Sequence, residues 1–201
     1  MKEWRITAII LAGGRSHRLG LDKALLRLDG ETLLEAAVKK VATLSDEVIV
    51  AVSGPLPYRL PGAHLVTDIH PGCGPLGGIH AGLAAASNFY SLVVACDMPF
   101  LNIELLRYMV EIAPGNDVVM PRLGTYLEPL HAIYSKDCLK PIERRIEAEN
   151  FKVSDFLSEV RVRYLEREDI ERFDPEHLSF FNINTMEDLE RARETIALGR
   201  R

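Results

Sequence analysis

The residues best suited to chemistry lie directly after the first apolar segment, in the stretch LAGGRSHRLGLDK at positions 11–23. Gly13 and Gly14 have no side chains, so the backbone can turn tightly there and bring N–H groups against a polyanion. Three basic side chains and one acidic side chain follow: Arg15, Arg18 and Lys23, with Asp22. Arginine binds phosphate oxygens through paired hydrogen bonds and lysine adds a mobile charge, so the stretch predicts a triphosphate site.

A glycine-rich turn with solvated basic side chains is the other interpretation of this stretch. Its spacing matches neither the P-loop, GxxxxGK[ST], nor the dinucleotide motif, GxGxxG, so neither of those mechanisms applies here. Three cations so close to two glycines favour the phosphate-binding interpretation.

Asp97 is the strongest candidate for a metal ligand. It follows the apolar run at 92–96, so it would lie at the carboxyl edge of a buried strand, where parallel sheets bind their ligands. Mg²⁺ takes oxygen ligands, often one or two carboxylates together with substrate phosphates and water. The alternative role for Asp97 is that of a turn former or helix cap ahead of Pro99.

Asp68 is a weaker candidate of the same kind. It ends a shorter apolar segment and leads into a segment dense in glycine and proline. On its own, such a residue is more typical of an Asx turn than of a binding site. The GPLGG segment at 74–78 then opens a helix of small residues, which fits either a backbone that approaches a ligand or a helix that packs closely on a sheet.

The elements that must position these residues alternate between short apolar runs and helical patterns. The predicted strands lie at 6–11, 47–52, 64–67, 91–96, 117–121, 130–134 and 160–165. The predicted helices lie at 31–44, 79–87, 103–112 and 137–149, with a last helix from Thr185 that opens on a capping-box-like pair with Asp188. The alternation predicts an α/β fold with three layers: a mostly parallel, twisted, Rossmann-like sheet with helices on both faces.

Length and composition narrow the class of protein. At 201 residues the chain fits one domain, and a core of this size needs no disulfide or structural metal. The net charge of −5 argues against nucleic acid or an anionic membrane as the main partner. We expect a soluble, cytoplasmic protein with reduced thiols, because the chain has no signal peptide, no apolar stretch near the roughly 20 residues of a membrane span, and three widely spaced cysteines: Cys73, Cys96 and Cys138.

The first motif, LAGG-x-S-x-R-x-G-x-D-K, resembles the opening signature of the molybdenum cofactor guanylyltransferases, within the glycosyltransferase-A-like nucleotidyltransferases. The resemblance covers essentially the whole chain. The further motifs are Asp68 with PGCGPLGG at 71–78, CDMPFL at 96–101, EPL at 128–130 and FFNINT at 180–185. One departure is Ser53, which stands where this family frequently has asparagine, so the details of base recognition would differ.

The resemblance implies an enzyme that transfers GMP from GTP to molybdenum-molybdopterin and releases pyrophosphate. It implies Mg²⁺ as cofactor and transient contacts with other proteins of the cofactor pathway. It also implies one nucleotidyltransferase domain over residues 1–201, in which 1–121 mainly binds nucleotide and 122–201 mainly binds the acceptor.

The resemblance also assigns roles to individual residues. The implied catalytic residues are Arg18, Lys23 and Asp97, and Asp97 is the implied metal ligand. The implied nucleotide-binding residues are Leu11, Ala12, Gly13, Gly14, Lys23, Ser53, Asp68, Gly77 and Asp97. The implied acceptor-binding residues are Asn182 and Asn184.

The remaining polar candidates have two interpretations each. Asn182 and Asn184 are two positions apart, so on a strand both amides would point to one face, which the resemblance assigns to the pterin substrate. Equally, one of them could cap the helix that begins near Thr185. Glu128 fits either a residue that orients metal or substrate or a surface carboxylate. His131 lies among apolar residues, which is typical of a hydrogen-bonded core histidine.

Three other functions fit the same residues. The nearest is the same chemistry with another nucleotide or acceptor: a cytidylyltransferase of the molybdenum cofactor or of an isoprenoid pathway, or a sugar-phosphate nucleotidyltransferase. Relatives that use CTP generally have AAG rather than LAGG and lack the aspartate before the lysine, so the resemblance favours guanylyl transfer. The others are a molybdopterin carrier and a non-catalytic nucleotide-binding protein, and the latter would not need Arg18, Lys23 and Asp97 together.

Overall fold

An eight-stranded, mostly parallel sheet runs through the centre of the protein. The computed structural model describes residues 5–12, 23–52, 54, 60–70 and 72–199. The strands are β1 (Thr7–Leu11), β2 (Arg27–Leu28), β3 (Glu31–Thr32), β4 (Glu47–Val52), β5 (His64–Thr67), β6 (Tyr90–Ala95), β7 (Val118–Leu123), β8 (Tyr126–Leu127), β9 (His131–Ser135) and β10 (Val162–Leu165). The α-helices are α1 (Leu33–Val41), α2 (Gly74–Ala85), α3 (Ile103–Glu111), α4 (Leu139–Glu147), α5 (Arg167–Glu171) and α6 (Met186–Gly199).

The strand order in this sheet is β10-β7-β9-β6-β1-β4-β5, with the short β8 paired to β7. β1 lies between β4 and β6 and is parallel to both. In this register Leu11 stands beside Ala51 on one side and Ala95 on the other, so the three strands end at the same edge. β9 runs antiparallel to both of its neighbours, β6 and β7. The sheet is therefore parallel around the predicted site and mixed beyond β6.

Buried apolar side chains cover both faces of the sheet, as nearly continuous apolar strands predict. On one face, Ile10 and Val50 belong to a core that includes residues of α1, α3 and α5. On the other face, Ile9 and Val93 belong to a core that includes residues of α2, α4 and the 3₁₀ helix at Val153–Glu159. The observed arrangement confirms the predicted three-layer α/β fold.

Helix α2 lies directly against the sheet because two of its glycines face β1. A Cβ atom on Gly82 would stand 2.5 Å from Cγ2 of Ile9, closer than two carbon atoms can approach without a shift. A Cβ atom on Gly78 would stand 3.2 Å from Cδ2 of Leu11. The small residues of this segment therefore serve close packing on the sheet, which was one of the two interpretations of their sequence.

Two helix boundaries differ from the prediction for local reasons. α2 begins at Gly74 rather than at 79, because Pro75 suits a first turn, whose N–H groups have no partner within the helix. α1 begins at Leu33 rather than at 31, because the Thr32 side chain accepts a hydrogen bond from the Glu35 N–H and forms a capping box with it. The residues before this cap form the hairpin β2–β3, which the sequence pattern did not predict.

The three cysteines, Cys73, Cys96 and Cys138, are buried and none forms a disulfide, as their spacing predicts. Burial raises the pKa of the Cys138 thiol to about 12, so this side chain stays protonated at neutral pH. Among the helices in the described part of the chain, none combines the length and apolar character needed to cross a membrane.

Candidate active site

The carboxyl ends of β1, β4 and β6 form the edge at which the sequence places a nucleotide site. Pairing continues past the strands: the Ala12 N–H donates to the Ala51 carbonyl at 2.9 Å, and the Cys96 N–H donates to the Leu11 carbonyl at 3.1 Å. These bonds fix the chain at the exit of β1 and at the turn after β6. Asp97 lies in that turn, at the carboxyl edge of a buried parallel strand, as predicted.

Lys23, Asp97 and Asn184 meet at this edge. The Lys23 Nζ atom donates to Oδ2 of Asp97 and to Oδ1 of Asn184, both at 2.7 Å. The Lys23 and Asp97 side chains are 18% and 14% exposed, so the ion pair is largely shielded from water. Shielding strengthens the attraction between the two charges. An ammonium and a carboxylate in this position can bind a phosphate group and a metal ion respectively.

Two hydrogen bonds to the backbone fix the loop that carries Asp97. The Ile183 N–H donates to the Asp97 carbonyl at 3.0 Å. The Lys40 Nζ atom, from α1, donates to the Pro99 carbonyl at 2.7 Å, and burial lowers the pKa of this ammonium. The loop is therefore held by α1 and by the chain that precedes α6. The sequence did not single out Lys40, because a lysine on an amphipathic helix carries no distinguishing signal.

Asp97 has an oxygen atom that a metal ion could use. Oδ2 accepts a hydrogen bond from Lys23, whereas Oδ1 has no hydrogen-bond partner among the residues that the structure describes. Within those residues, no group of three or more His, Cys, Asp or Glu side chains could hold a metal ion. A cation at this edge would take one carboxylate from the described chain, which fits Mg²⁺ with phosphate oxygens and water as its other ligands.

Asp68 forms the Asx turn that its sequence suggested, and it also contacts α2. Its Oδ1 atom accepts a hydrogen bond from the His70 N–H at 2.9 Å. A Cβ atom on Gly77 would stand 2.6 Å from Oδ2 of Asp68, so the absence of a side chain on Gly77 leaves room for the carboxylate. The Asp68 N–H donates to the Val52 carbonyl, which places this turn at the end of β4. The roles of Asp68 and Gly77 in nucleotide binding stay predictions.

Several predicted residues lie outside the described part of the chain. They are Gly13, Gly14, Arg15 and Arg18 of the glycine-rich stretch, and Ser53 after β4. Their roles in phosphate and base binding stay predictions from the sequence. The described residues on either side of the stretch are Ala12, at the exit of β1, and Lys23, beside Asp97.

The segment 181–184 is not a strand, so the prediction that Asn182 and Asn184 share one strand face is wrong. The backbone N–H between them bonds to the loop after β6 instead of to a neighbouring strand. Asn184 is exposed and contacts Lys23, whereas Asn182 is half-buried and donates to the Phe180 carbonyl at 3.0 Å. Of these two asparagines, Asn184 is therefore the one that accepts a hydrogen bond from Lys23, the cation of the Lys23–Asp97 pair.

The start of α6 confirms one prediction and corrects another. The Thr185 Oγ1 atom accepts a hydrogen bond from the Asp188 N–H at 3.1 Å, and Asp188 Oδ2 accepts from the Thr185 N–H at 2.9 Å. This reciprocal pair is the capping box that the sequence suggested. Because Thr185 is the capping residue, the alternative that Asn182 or Asn184 caps the helix is wrong.

Glu128 and His131 lie near the end of β6, where the Leu130 carbonyl accepts a hydrogen bond from the Ala95 N–H. Glu128 is half-buried with no side-chain partner among the described residues, and burial raises the pKa of its carboxyl group. His131 is fully buried, as predicted, and burial lowers its pKa to about 4. Its two ring nitrogens have no hydrogen-bond partner in the described part of the chain, so the prediction of a hydrogen-bonded histidine is wrong.

The fold of this protein is that of solved nucleotidyltransferase structures. The solved structure of 2-C-methyl-D-erythritol 4-phosphate cytidylyltransferase from Thermus thermophilus has a TM-score of 0.69 to this chain, covering 96% of this chain and 100% of that one. The identity is 19%, so this likeness concerns the fold alone.

The model of the MobA-like NTP transferase domain matches residues 8–163, and the chain belongs to this family. A probable molybdenum cofactor guanylyltransferase from Pelotomaculum thermopropionicum is 46% identical over 93% of this chain and 91% of the relative. The molybdenum cofactor guanylyltransferase of Desulfosudis oleivorans is 38% identical over 97% of this chain and 98% of the relative. The solved structure of molybdopterin-guanine dinucleotide biosynthesis protein A from Archaeoglobus fulgidus has a TM-score of 0.83 and 31% identity, covering 96% of this chain and 99% of that one. The family resemblance of the motifs is thereby confirmed.

Proposed function

We propose that the protein transfers GMP from GTP to the phosphate of molybdenum-molybdopterin and releases pyrophosphate. The observation that carries the proposal is the Lys23–Asp97 ion pair at the carboxyl end of β6. It lies in a chain that is similar over 97% of its length to an enzyme named for guanylyl transfer to the molybdenum cofactor. The pair offers one group for a phosphate and one for a metal ion, which nucleotidyl transfer from a triphosphate needs.

The acceptor phosphate is already an anion, so its attack on the α-phosphorus of the nucleotide needs no strong general base. Catalysis comes from holding acceptor and nucleotide in line and from neutralising the charge that builds on the leaving pyrophosphate. Lys23 carries one of the positive charges. In this proposal Arg18 and the N–H groups of Gly13 and Gly14 hold the same phosphates.

Mg²⁺ is the cofactor in this proposal, and the Asp97 carboxylate is its protein ligand. Bound there, the ion would neutralise charge on the phosphate oxygens of the nucleotide. The Oδ1 atom of Asp97, which has no partner among the described residues, supports this assignment. The Lys23 ammonium has three N–H groups, so it can donate to a phosphate oxygen while its hydrogen bond to the Asp97 carboxylate stays in place.

The remaining assignments divide the site between nucleotide and acceptor. The nucleotide-binding residues in this proposal are Leu11, Ala12, Ser53, Asp68 and Gly77, in addition to those already described. Asn182 and Asn184 bind the acceptor, and residues 122–201 contribute most of its pocket. The position of Leu11 and Ala12 at the exit of β1, and of Asp68 at the end of β4, supports a nucleotide site along this edge.

The proposed setting is the cytoplasm, with small-molecule substrates and transient contacts to other proteins of the cofactor pathway. The net charge of −5 fits anionic ligands that are held by local positive charge, such as that of Lys23, rather than by a basic surface. The same charge argues against nucleic acid as a partner.

The experiment that tests the proposal is an assay of pyrophosphate release. The protein is incubated with Mg²⁺ and one of GTP, CTP, ATP or UTP, with and without molybdenum-loaded molybdopterin. Release with GTP only, and only in the presence of the pterin, is the expected result. Omission of Mg²⁺ with chelator present should abolish the release.

Two other outcomes would contradict the proposal in different ways. Release with CTP instead of GTP would keep the mechanism and change the base. Tight binding of GTP without any release, with the pterin acceptor present, would indicate a nucleotide-binding protein that does not transfer GMP to this acceptor.

A further inference from the structure

We propose that Asn184 is a positioning residue for Lys23, in addition to the acceptor contact proposed for it. Its amide oxygen and the Asp97 carboxylate together fix the Lys23 ammonium at the end of β6, where it meets the nucleotide phosphates. The inference rests on the proposed function, because it assumes that Lys23 binds those phosphates. It makes the segment before α6 part of the nucleotide site.

The Lys23 ammonium has two hydrogen-bond partners among the described residues. Its Nζ atom lies 2.7 Å from Asp97 Oδ2 and 2.7 Å from Asn184 Oδ1, so two of its three N–H groups are directed by these partners. The third N–H group has no partner among the residues that the structure describes. An ammonium held by Asp97 alone could rotate about that single contact, whereas two partners fix its position.

The chemistry of the ammonium also fixes the orientation of the Asn184 amide. Lysine only donates hydrogen bonds, so the amide must present its oxygen to Lys23 and not its NH₂ group. The NH₂ group then points away from Lys23 and has no partner among the described residues. Because Asn184 is exposed, this group remains available to an anionic acceptor. One amide can therefore touch Lys23 with its oxygen and the acceptor phosphate with its nitrogen.

The backbone around Asn184 explains how an exposed side chain can serve as a fixed partner. The Asn184 N–H donates to Asp188 Oδ2 at 3.0 Å, within the capping box of α6. The preceding Ile183 is fully buried, and its N–H donates to the Asp97 carbonyl at 3.0 Å. Asn184 and Asp97 are thus joined both through Lys23 and through the backbone, and the start of α6 determines where the amide oxygen lies.

A double-mutant cycle on GTP binding tests the inference. GTP is titrated with Mg²⁺ and without acceptor into wild type, Asn184→Ala, Lys23→Met and the double variant. Hydrogen bonds to charged groups are strong enough that we expect about tenfold weaker binding in Asn184→Ala. In the Lys23→Met background the same change should alter binding less than about twofold, because the contact is already absent. The matched comparison is Asn150→Ala, which removes the same side chain from a residue outside the proposed site, one that donates to Asp155 Oδ2 at 3.1 Å, and should leave GTP binding unchanged.

A second measurement tests the contact without any nucleotide. Reductive methylation of the free protein, followed by mass spectrometry of its peptides, reports how accessible each lysine amine is. Lys23 should react several-fold faster in Asn184→Ala than in wild type. Lys152, whose side chain is 75% exposed, should react at the same rate in both proteins.

The outcomes separate this inference from the proposed function. Unchanged GTP binding in Asn184→Ala, or losses from Asn184→Ala and Lys23→Met that add in full, would overturn the positioning role. An unchanged methylation rate of Lys23 would overturn the contact itself. A wild-type protein that binds GTP but transfers nothing would overturn the proposed function only, because the cycle depends on binding alone.

Discussion

Lys23 Nζ lies 2.7 Å from Asp97 Oδ2, although the two residues are 74 positions apart in the chain. They meet because β1 and β6 are neighbours that end at the same edge, with the 3₁₀ helix at Lys23–Leu25 beside that edge. Both side chains are largely buried there, so each charge is stabilised by the opposite charge of its partner rather than by water. A change to either residue therefore leaves a largely buried charge without its partner at the proposed site.

We expect Asp97→Asn and Lys23→Ala each to lower turnover in pyrophosphate release by about 10²–10³-fold, the scale seen when one electrostatic contact to a transition state is lost. Asn has nearly the shape of Asp but no charge, so it is a poor ligand for a hard cation. Steady-state kinetics with saturating substrates measures the effect. A turnover loss below tenfold in both variants would contradict the proposed roles.

The matched control for this prediction is Glu147→Gln. Glu147 is an exposed residue of α4, and the change removes one carboxylate charge as Asp97→Asn does. Its turnover should stay within about twofold of wild type, since surface changes away from special features have small effects. Thermal unfolding of each variant shows whether a loss of turnover reflects a loss of folded protein.

Gly82→Ala should destabilise the protein although alanine is the better helix former. The new Cβ atom would stand 2.5 Å from Cγ2 of Ile9, a buried side chain of β1. Crowding of this kind in a packed core costs about 1–3 kcal/mol. Gly78→Ala, one helical turn earlier, places its Cβ atom 3.2 Å from Leu11 and should change stability by less than about 1 kcal/mol, because the gain in helix propensity offsets the contact. Urea unfolding of the two variants compares them, and equal losses would contradict the close approach at Gly82.

The sheet could be predicted from the sequence because its central strands are buried on both faces. A nearly continuous apolar run leaves little room for another interpretation, and β4, in which five of the six residues are buried, has the predicted bounds. Apolar runs carry no information on strand direction, however, so the antiparallel β9 between β6 and β7 could not be distinguished from a parallel strand.

The residues of the site could be predicted from the sequence, but the contacts between distant residues could not. Asp97 could be placed because it comes directly after the apolar run of β6, whereas the contact between Lys23 and Asn184 joins residues 161 positions apart. The alternation of Asn182 and Asn184 around an apolar residue suggested a strand, but this alternation has another physical cause. The residue between them, Ile183, is buried in a small cluster with residues of α6, and a single buried side chain with polar neighbours has the same pattern as a strand.

Arg161 should stabilise the protein in a pH-dependent way through Asp117. The Arg161 side chain donates two hydrogen bonds to this nearly buried carboxylate, at 3.1 and 2.7 Å, and they hold the pKa of Asp117 below its ordinary value. A lowered pKa in the folded state contributes stability above the ordinary pKa of the group, 3.8, and the contribution disappears as the pH falls through the lowered value. Arg161→Ala should lower the free energy of unfolding at pH 7, and the loss should become progressively smaller as the pH falls below 3.8.

The control for this prediction lies two residues further along the chain. Arg163 is also exposed and has no ion-pair partner in the described part of the chain, so Arg163→Ala should change stability by less than about 0.5 kcal/mol. Urea unfolding at pH 7 and at a series of pH values from 3.8 downward measures both variants. A loss in Arg161→Ala that does not depend on pH would show that packing, and not the charge of Asp117, is responsible.

His131 should make the protein less stable in mild acid. Burial lowers its pKa to about 4, and the charge of Asp174 only partly opposes the shift. The unfolded chain, in which histidine has its ordinary pKa of 6.5, then binds a proton that the folded protein does not. Stability is therefore fully present above pH 6.5 and falls as the pH drops from 6.5 toward 4. At pH 5 the loss from this one group is about 2 kcal/mol.

The variant that tests this prediction is His131→Phe, which keeps a buried ring against Phe180 and removes the titrating group. The urea midpoints of both proteins are measured at pH 7.5 and pH 5. Wild type should lose about 2 kcal/mol more than the variant between these two values, because only wild type has the buried imidazole. Equal losses would mean that His131 takes up a proton in the folded state as readily as in the unfolded chain, which requires a hydrogen-bond acceptor for its ring that the described residues do not provide.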